Sequence, residues 1–142
     1  MCIRDSIFEH SFIMQAYTNH KEKYEGITLN KKKVQYILGV YELFLEENES
    51  FTIPKFSLEH IKDDSKGGNA CFIGNFVILP QRKNNKLAEK SINEKIAVYT
   101  DSCFALTRKF AKNPNAKLWD DDTISERSKF LAKEFYSNIW DC

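Results

Sequence analysis

The stretch from Ser57 to Lys90, SLEHIKDDSKGGNACFIGNFVILPQRKNNKLAEK, decides the fold predicted for this chain. Apolar residues flank Glu59-His60 near its start, and Phe76-Val77-Ile78-Leu79 is a short run of β-branched and aromatic residues closed by Pro80. Both patterns are typical of short strands. The segment Lys66-Gly67-Gly68-Asn69 lies between them and has the residue types of a turn.

A helix is expected directly after the second strand. Asn84 or Asn85 is its predicted cap, and the apolar periodicity begins near Leu87. The stretch therefore predicts a ββα unit.

Polar residues at the ends of these elements have the chemistry that one-metal phosphodiester hydrolysis needs. Glu59 and Asn84 can hold a hard cation through oxygen and leave other positions for water and phosphate oxygens. His60, free of the metal, can take a proton from water near neutral pH. Asn85 is an alternative to Asn84 as the ligand, since the register could differ by one residue. Taken alone, His60 could equally be a structural histidine at a strand end, and Asn84 a simple helix cap.

The order and spacing of these residues resemble the HNH (His-Me finger) nuclease pattern. Gly74-Asn75 follows the histidine of Glu59-His60-Ile61 by fifteen residues, and Asn84 comes nine residues later. More closely, the chain resembles the HNH module at the C-terminus of GmrSD-type, modification-dependent restriction endonucleases, over Val34 to Trp140. The further residues that match are Phe76, Asn85, Lys86, Lys95, Trp119, Ile124, Arg127 and Leu131.

This resemblance implies a metal-dependent DNA endonuclease that acts in restriction and phage defence. A single Mg²⁺ or Mn²⁺ ion would bind Glu59 and Asn84, His60 would activate water, and Asn75 would brace the loop that aims His60. An upstream ParB-like nucleotide-dependent domain is the partner that the resemblance implies. The chain departs from the family at Asp63, where a proline usually stands, and this places another carboxylate near the predicted metal.

Basic residues are concentrated after the second strand. From Pro80 to Lys112 there are eight Lys or Arg residues against three acids, although the net charge of the chain is only +1. We expect Lys83, Lys86 and Lys90 to contact DNA phosphates, with Lys86 and Lys90 on one helix face because they are four residues apart. A solvated helix face would show the same charge pattern.

The predicted fold class is α+β and mostly helical, with the ββα-metal motif between a preceding core helix and two C-terminal helices. Residues 31–47 should form the preceding helix, one long helix should run from near Leu87 to Asn113, and the last should follow Asp120-Asp121-Asp122. Thr123 and Glu126 have the spacing of a capping box for that last helix, and the three aspartates suit its dipole. The apolar seams of these helices are, in chain order, Val34, Ile37, Leu38, Tyr41, Phe44 and Leu45; Ile92, Ile96, Tyr99, Cys103, Leu106 and Phe110; and Ile124, Ser128, Leu131, Phe135 and Ile139.

A length of 142 residues suits one compact domain. Residues 1–6 look like a non-native, adapter-derived leader, residues 7–30 a loosely structured lead-in, and residues 31–142 the nuclease-type domain, a C-terminal fragment of a longer protein. The sequence has neither a signal-peptide pattern nor an apolar stretch of about 18 residues, so a cytoplasmic protein without membrane contact is expected. The four cysteines form no CxxC pair, so no structural zinc is expected. A non-catalytic nucleic-acid-binding module and a purely structural module of a larger protein are the two alternatives.

Overall fold

The computed structural model describes residues 17–23, 28–47, 50–81, 87 and 89–139. This part of the chain contains four α-helices and one pair of strands, which confirms the predicted α+β, mostly helical fold. In chain order these are α1 (Lys31–Glu46), β1 (Phe56–His60), β2 (Phe76–Pro80), α2 (Ile92–Thr100), α3 (Ala105–Ala111) and α4 (Asp121–Glu134). A π-helical turn, Phe135–Ile139, extends α4.

The two strands pair antiparallel, with Glu59 opposite Val77 and His60 opposite Phe76. The pairing continues one residue beyond β1, where the amide of Ile61 donates to the Asn75 carbonyl at 2.8 Å. The connection between the strands is a series of short 3-10 turns in which Gly67 and Gly68 both have positive φ. Glycine is favoured there because a Cβ atom strains that backbone conformation. The predicted strands and the glycine turn are therefore confirmed.

Helix α1 packs its predicted apolar face into the main core. Val34, Ile37, Leu38 and Tyr41 are buried there together with Phe76 of the sheet and residues of α3 and α4. The Asn30 side chain caps the helix by accepting from the Lys33 amide at 2.9 Å. Phe44 departs from the prediction, since 42% of its surface is exposed and it lies at the edge of the stripe.

The predicted long helix after β2 is wrong in two respects. It begins at Ile92 with Ser91 as its N-cap, rather than near Leu87, so Lys90 precedes the helix, while Lys86 lies outside the described residues. It is also divided into α2 and α3 between residues 101 and 104, where Phe104 adopts an extended conformation with its side chain fully buried. The predicted caps Asn84 and Asn85 lie outside the described residues.

The buried carboxylate of Glu42 explains why a new helix, α3, begins after the break. Both oxygens of Glu42 accept backbone amides at the beginning of α3, from Ala105 at 2.9 Å and from Leu106 at 2.8 Å. The apolar spacing of the sequence continues across this break because Tyr99 before it and Leu106 and Phe110 after it are all buried, whereas Cys103 within the break is exposed, contrary to its predicted place in the seam. Apolar spacing alone therefore does not reveal a cap that comes from 63 residues away.

Helix α4 begins three residues earlier than the predicted capping box. Asp120 is the N-cap, its carboxylate accepts the Thr123 amide at 2.9 Å, and the Thr123 hydroxyl accepts the Asp120 amide at 2.8 Å. The predicted Thr123–Glu126 box is thus replaced by an Asp120–Thr123 box. The aspartates do stand at the helix N-terminus, as expected from the dipole.

The N-terminal half of α4 lies directly against the turn that precedes β2. A Cβ atom on Gly74 would come within 2.5 Å of the Ile124 carbonyl oxygen and the Ser128 amide nitrogen. The Arg127 guanidinium donates to the carbonyls of Gly74 at 2.6 Å and Phe76 at 2.7 Å. These contacts fix the start of β2 against the helix. No helix among the described residues is long and apolar enough to cross a membrane.

Candidate active site

His60 ends β1 and lies on the face of the sheet that packs on the main core. Its ring centroid is 4.4 Å from that of Phe76, and Nε2 is 3.2 Å from the Tyr17 carbonyl oxygen and 3.6 Å from Oδ1 of Asp64. Only 16% of the side chain is exposed. Burial lowers the pKa of His60, and the carboxylate of Asp64 partly offsets this. The imidazole is therefore neutral at pH 7.

The tautomer of His60 follows from its partner. A carbonyl oxygen can only accept, so a hydrogen bond to Tyr17 requires the proton on Nε2. The lone pair then resides on Nδ1, which no described residue hydrogen-bonds. In this arrangement Nδ1 is the nitrogen that can accept a proton from water.

Asp64 links His60 to the segment before α1. Its carboxylate accepts the Thr18 hydroxyl on one oxygen and the Asn19 amide, at 2.8 Å, on the other. Residues 17–19 therefore lie over the imidazole and are held there by the same side chain that stands beside Nε2. Apart from the spacing of four between His60 and Asp64, nothing in the sequence indicates this contact, because residue 18 is 46 positions from Asp64.

Glu59 points to the opposite face of the strand from His60, as consecutive strand residues do. Its carboxylate is 3% exposed, accepts the Tyr99 hydroxyl at 3.2 Å and lies 3.5 Å from Nζ of Lys95. Burial raises the pKa of Glu59, while Lys95 and Tyr99 act in the other direction. Glu59 is thus a buried carboxylate that already has an internal counter-cation.

Lys95 connects Glu59 with the end of β1. Besides the carboxylate, its ammonium group reaches the carbonyl of His60 at 3.1 Å and that of Ile61 at 2.8 Å. The side chain is 97% buried, in agreement with this full set of partners. Lys95 therefore fixes the backbone of the two residues at which the strand becomes the loop.

Asn75 uses all four hydrogen-bonding positions of its amide, and it is fully buried. Its oxygen accepts the Lys62 amide at 2.8 Å and the Trp119 indole N–H at 3.0 Å. Its nitrogen donates to the carbonyls of Lys62 and Ala70, both at 2.8 Å. Asn75 thereby joins β2, the loop after His60 and the segment before α4.

The described residues include only one of the two predicted metal ligands, Glu59. They contain no group of three or more His, Cys, Asp or Glu side chains close enough to share an ion. Glu59 faces an ammonium group, which repels a second cation, and the other predicted ligand, Asn84, lies outside the described residues together with its alternative Asn85. The arrangement of Glu59 seen here therefore does not fit a metal ligand unless Lys95 and the carboxylate separate.

Of the three lysines predicted to contact DNA, Lys90 is described, whereas Lys83 and Lys86 lie outside the described residues. The Lys90 side chain is 48% exposed and pairs with Glu94 at 3.5 Å. It borders an open cleft of about 520 Å³ that begins one residue beyond His60 and that Lys62 and Lys66 also line. Sequence reasoning missed those two lysines because they belong to the turn between the strands.

The molecule is thus a mostly helical α+β domain in which two antiparallel strands and the helices around them enclose a histidine, a carboxylate and a bracing asparagine. Residues 68–134 match the family model described as the C-terminal domain of GmrSD restriction endonucleases. The match confirms the resemblance predicted from the sequence and shows that this stretch is similar to the C-terminal domain of GmrSD restriction endonucleases. The match covers just under half of the chain and is narrower than the predicted range of Val34 to Trp140. Glu59 and His60 lie before its first residue. Searches of curated proteins and of solved structures found no match.

Proposed function

We propose that this chain is the nuclease domain of a restriction endonuclease and hydrolyses phosphodiester bonds in DNA. The family match over residues 68–134 carries the proposal, because it associates the chain with restriction endonucleases. The chemistry of the residue pair Glu59-His60, just before the match, supports the reaction type. Phosphodiester hydrolysis needs a base for water and positive charge for the phosphate.

In this proposal His60 is the general base. Its pKa is lowered by burial, so the imidazole is unprotonated at neutral pH and can accept a proton on Nδ1. Asn75 is a positioning residue, since its amide holds Lys62 two residues beyond His60. Tyr17 and Asp64 fix the tautomer from the other side of the ring.

A single Mg²⁺ or Mn²⁺ ion is part of the proposal, with Glu59 and Asn84 as the residues that would hold it. Bound there, the ion would supply positive charge to the phosphate oxygens. The pairing of Glu59 with Lys95 means that the carboxylate must exchange one cation for another. Metal dependence is therefore a part of the proposal that is tested separately from cleavage.

One observation favours a second function, that of a nucleic-acid-binding module without nuclease activity. Glu59 is neutralised internally by Lys95 at 3.5 Å and hydrogen-bonded by Tyr99, so it is satisfied without any metal. A domain that keeps the ββα unit for binding DNA would have no need of an accessible carboxylate.

Nicking of supercoiled plasmid, with and without Mg²⁺ or Mn²⁺, tests the proposal. We expect metal-dependent nicking by the chain, loss of it in His60→Ala, and retention in His20→Ala, whose imidazole is exposed and pairs with Glu22. Modified phage DNA and a nucleoside triphosphate form further arms, because the family resemblance implies modified targets and a ParB-like nucleotide-dependent partner domain. Folded protein that binds DNA but cuts none of these substrates would favour the non-catalytic function instead.

A further inference from the structure

Three hollows in the surface of the domain are linked in series by the wall residues that they share, and we treat them as one path. The first is the cleft of about 520 Å³ beside the end of β1, which extends to Trp119. Trp119 also lines a second hollow of about 170 Å³, and that hollow shares Arg127 and Phe130 with a third of about 310 Å³. Each hollow thus has at least one wall residue in common with the next.

The path has more cationic than acidic residues in its walls, although three of the cations, Lys62, Lys90 and Lys95, form ion pairs with Asp121, Glu94 and Glu59. Its walls contain seven cationic residues and three acidic ones, against a net charge of +1 for all 142 residues. We call this surface the basic track, and define it by its cations Lys62, Lys66, Lys90, Lys95, Lys109, Lys112 and Arg127. Its acidic residues are Asp63, Glu89 and Glu126.

Arg127 makes the far end of the basic track electropositive at depth. It is 91% buried and bonds to two backbone carbonyls, and no described carboxylate forms an ion pair with it. Lys109 and Lys112 stand exposed around the same hollow. A buried cation without an acidic partner attracts anions to the nearest opening.

An exposed aromatic ring accompanies these charges. Phe130 is 53% exposed and lines both the second and the third hollow, with Nζ of Lys109 5.8 Å from the ring centroid. Aromatic faces beside cations are the combination on which unpaired bases stack while their phosphates meet lysine or arginine.

We propose that the basic track binds the sugar–phosphate backbone of a DNA strand, with an unpaired base on Phe130. The proposal deepens the proposed function and rests on it for the choice of DNA as the anion. The strand would run from the cleft at Ile61 and Lys62, across Trp119, to the hollow at Arg127. Lys109, Lys112 and Phe130 were not among the residues predicted to contact DNA.

Fluorescence anisotropy with labelled single-stranded and duplex oligonucleotides, measured over a series of salt concentrations, tests the basic track. The test variant is Lys109→Ala/Lys112→Ala, and the matched control is Lys31→Ala/Lys32→Ala, two exposed lysines that line none of the three hollows. We expect the test variant to bind roughly tenfold or more weakly at 0.1 M salt, with a salt slope smaller by about 2, since each lost phosphate contact lowers it by about 0.9. The control should bind as the unchanged chain does.

A second pair of variants isolates the aromatic contact. Phe130→Ala should lower affinity for single-stranded DNA by roughly fivefold or more and affect duplex less, as expected for loss of base stacking. Phe44→Ala is its control, because Phe44 is similarly exposed at 42% but lies on α1. Circular dichroism establishes that each variant is folded.

The outcomes separate the two proposals. Equal weakening by both lysine pairs, an unchanged salt slope, or no DNA binding by the folded chain would overturn the basic track. Binding that depends on Lys109 and Lys112, in a chain that cuts no DNA, would sustain the basic track and overturn the nuclease proposal alone.

Discussion

The backbone carbonyl oxygen of Tyr17 lies 3.2 Å from Nε2 of His60, so a residue 43 positions earlier in the chain determines which nitrogen of the imidazole carries the proton. The same segment is held to Asp64 by Thr18 and Asn19. Access to the histidine is thereby linked to a few hydrogen bonds outside the sheet.

Thr18→Ala should increase the reactivity of His60. The hydroxyl of Thr18 donates to the Asp64 carboxylate, and a hydrogen bond to a charged group is worth about 1.5–3 kcal/mol. Its loss should make local opening of residues 17–19 about tenfold or more frequent. Carbethoxylation followed by mass spectrometry measures the modification rate, with the exposed His20 as the internal reference.

Thr100→Ala is the control for that comparison, since the Thr100 hydroxyl is exposed and bonds only within its own helix, to the Ile96 carbonyl. Equal rates for His60 in the Thr18 variant and in the unchanged chain would show that this segment does not limit access to the ring.

Asn75→Ala should destabilise the domain strongly. The change leaves the Trp119 indole, the Lys62 amide and two carbonyls without their partner in a buried environment. Each unsatisfied buried group costs about 1–3 kcal/mol, so a loss of at least about 3 kcal/mol in the free energy of unfolding is expected. Urea unfolding followed by circular dichroism measures it. Asn115→Ala, at an exposed position, should change it by less than about 0.5 kcal/mol, and similar losses for both would contradict the bracing role.

The local pattern of the sequence was sufficient for the strands. The residues of β1 and β2 alternate or cluster by type, and Gly67-Gly68 marks the turn, so their positions follow from short-range chemistry. The position of helix α1 could be predicted equally well, because its apolar residues recur at helical spacing. Resemblance to a family, rather than periodicity, identified Asn75, whose four hydrogen bonds all lie in the folded loop.

The misplaced cap of α4 is a local error, because Asp120 and Thr123 are three residues apart. The other features that the sequence did not predict depend on contacts between distant parts of the chain. The break between α2 and α3 depends on Glu42, and the surroundings of His60 depend on Tyr17 and Thr18. Glu59 and Lys95 are 36 residues apart, so the sequence around one residue does not show that the other neutralises its charge. Local propensity cannot report which distant side chain satisfies a buried group.

Lys95→Met alone should lower the stability of the domain more than the double variant Lys95→Met/Glu59→Gln does. Removing Lys95 alone leaves the buried Glu59 carboxylate without a cation, which typically costs about 3–5 kcal/mol. In the double variant that charge is absent, so part of the stability should return. Thermal and urea unfolding of both single variants and the double variant give the coupling energy, and strictly additive losses would show that the pair is not coupled.

The raised pKa of Glu42 should make the stability of the domain depend on pH. Burial, with a contribution from the neighbouring Glu46, raises the pKa of Glu42 from 4.5 to about 7, although the two amide hydrogen bonds oppose the rise. The native state then holds a proton that the unfolded state releases, so stability should fall as the pH rises from about 4.5 to about 7 and be constant above that.

Glu42→Gln removes this titration, because glutamine resembles the protonated form at every pH. The free energy of unfolding of the unchanged chain, minus that of the variant, should therefore decrease by about 1–3 kcal/mol between pH 5 and pH 8. Taking the difference cancels the other titrating groups that both proteins share. Glu126→Gln, at an exposed position on α4, should show no such trend. A difference that stays constant with pH would mean that Glu42 is ionised throughout the range, and that the two amides at the start of α3 outweigh the cost of burying its charge.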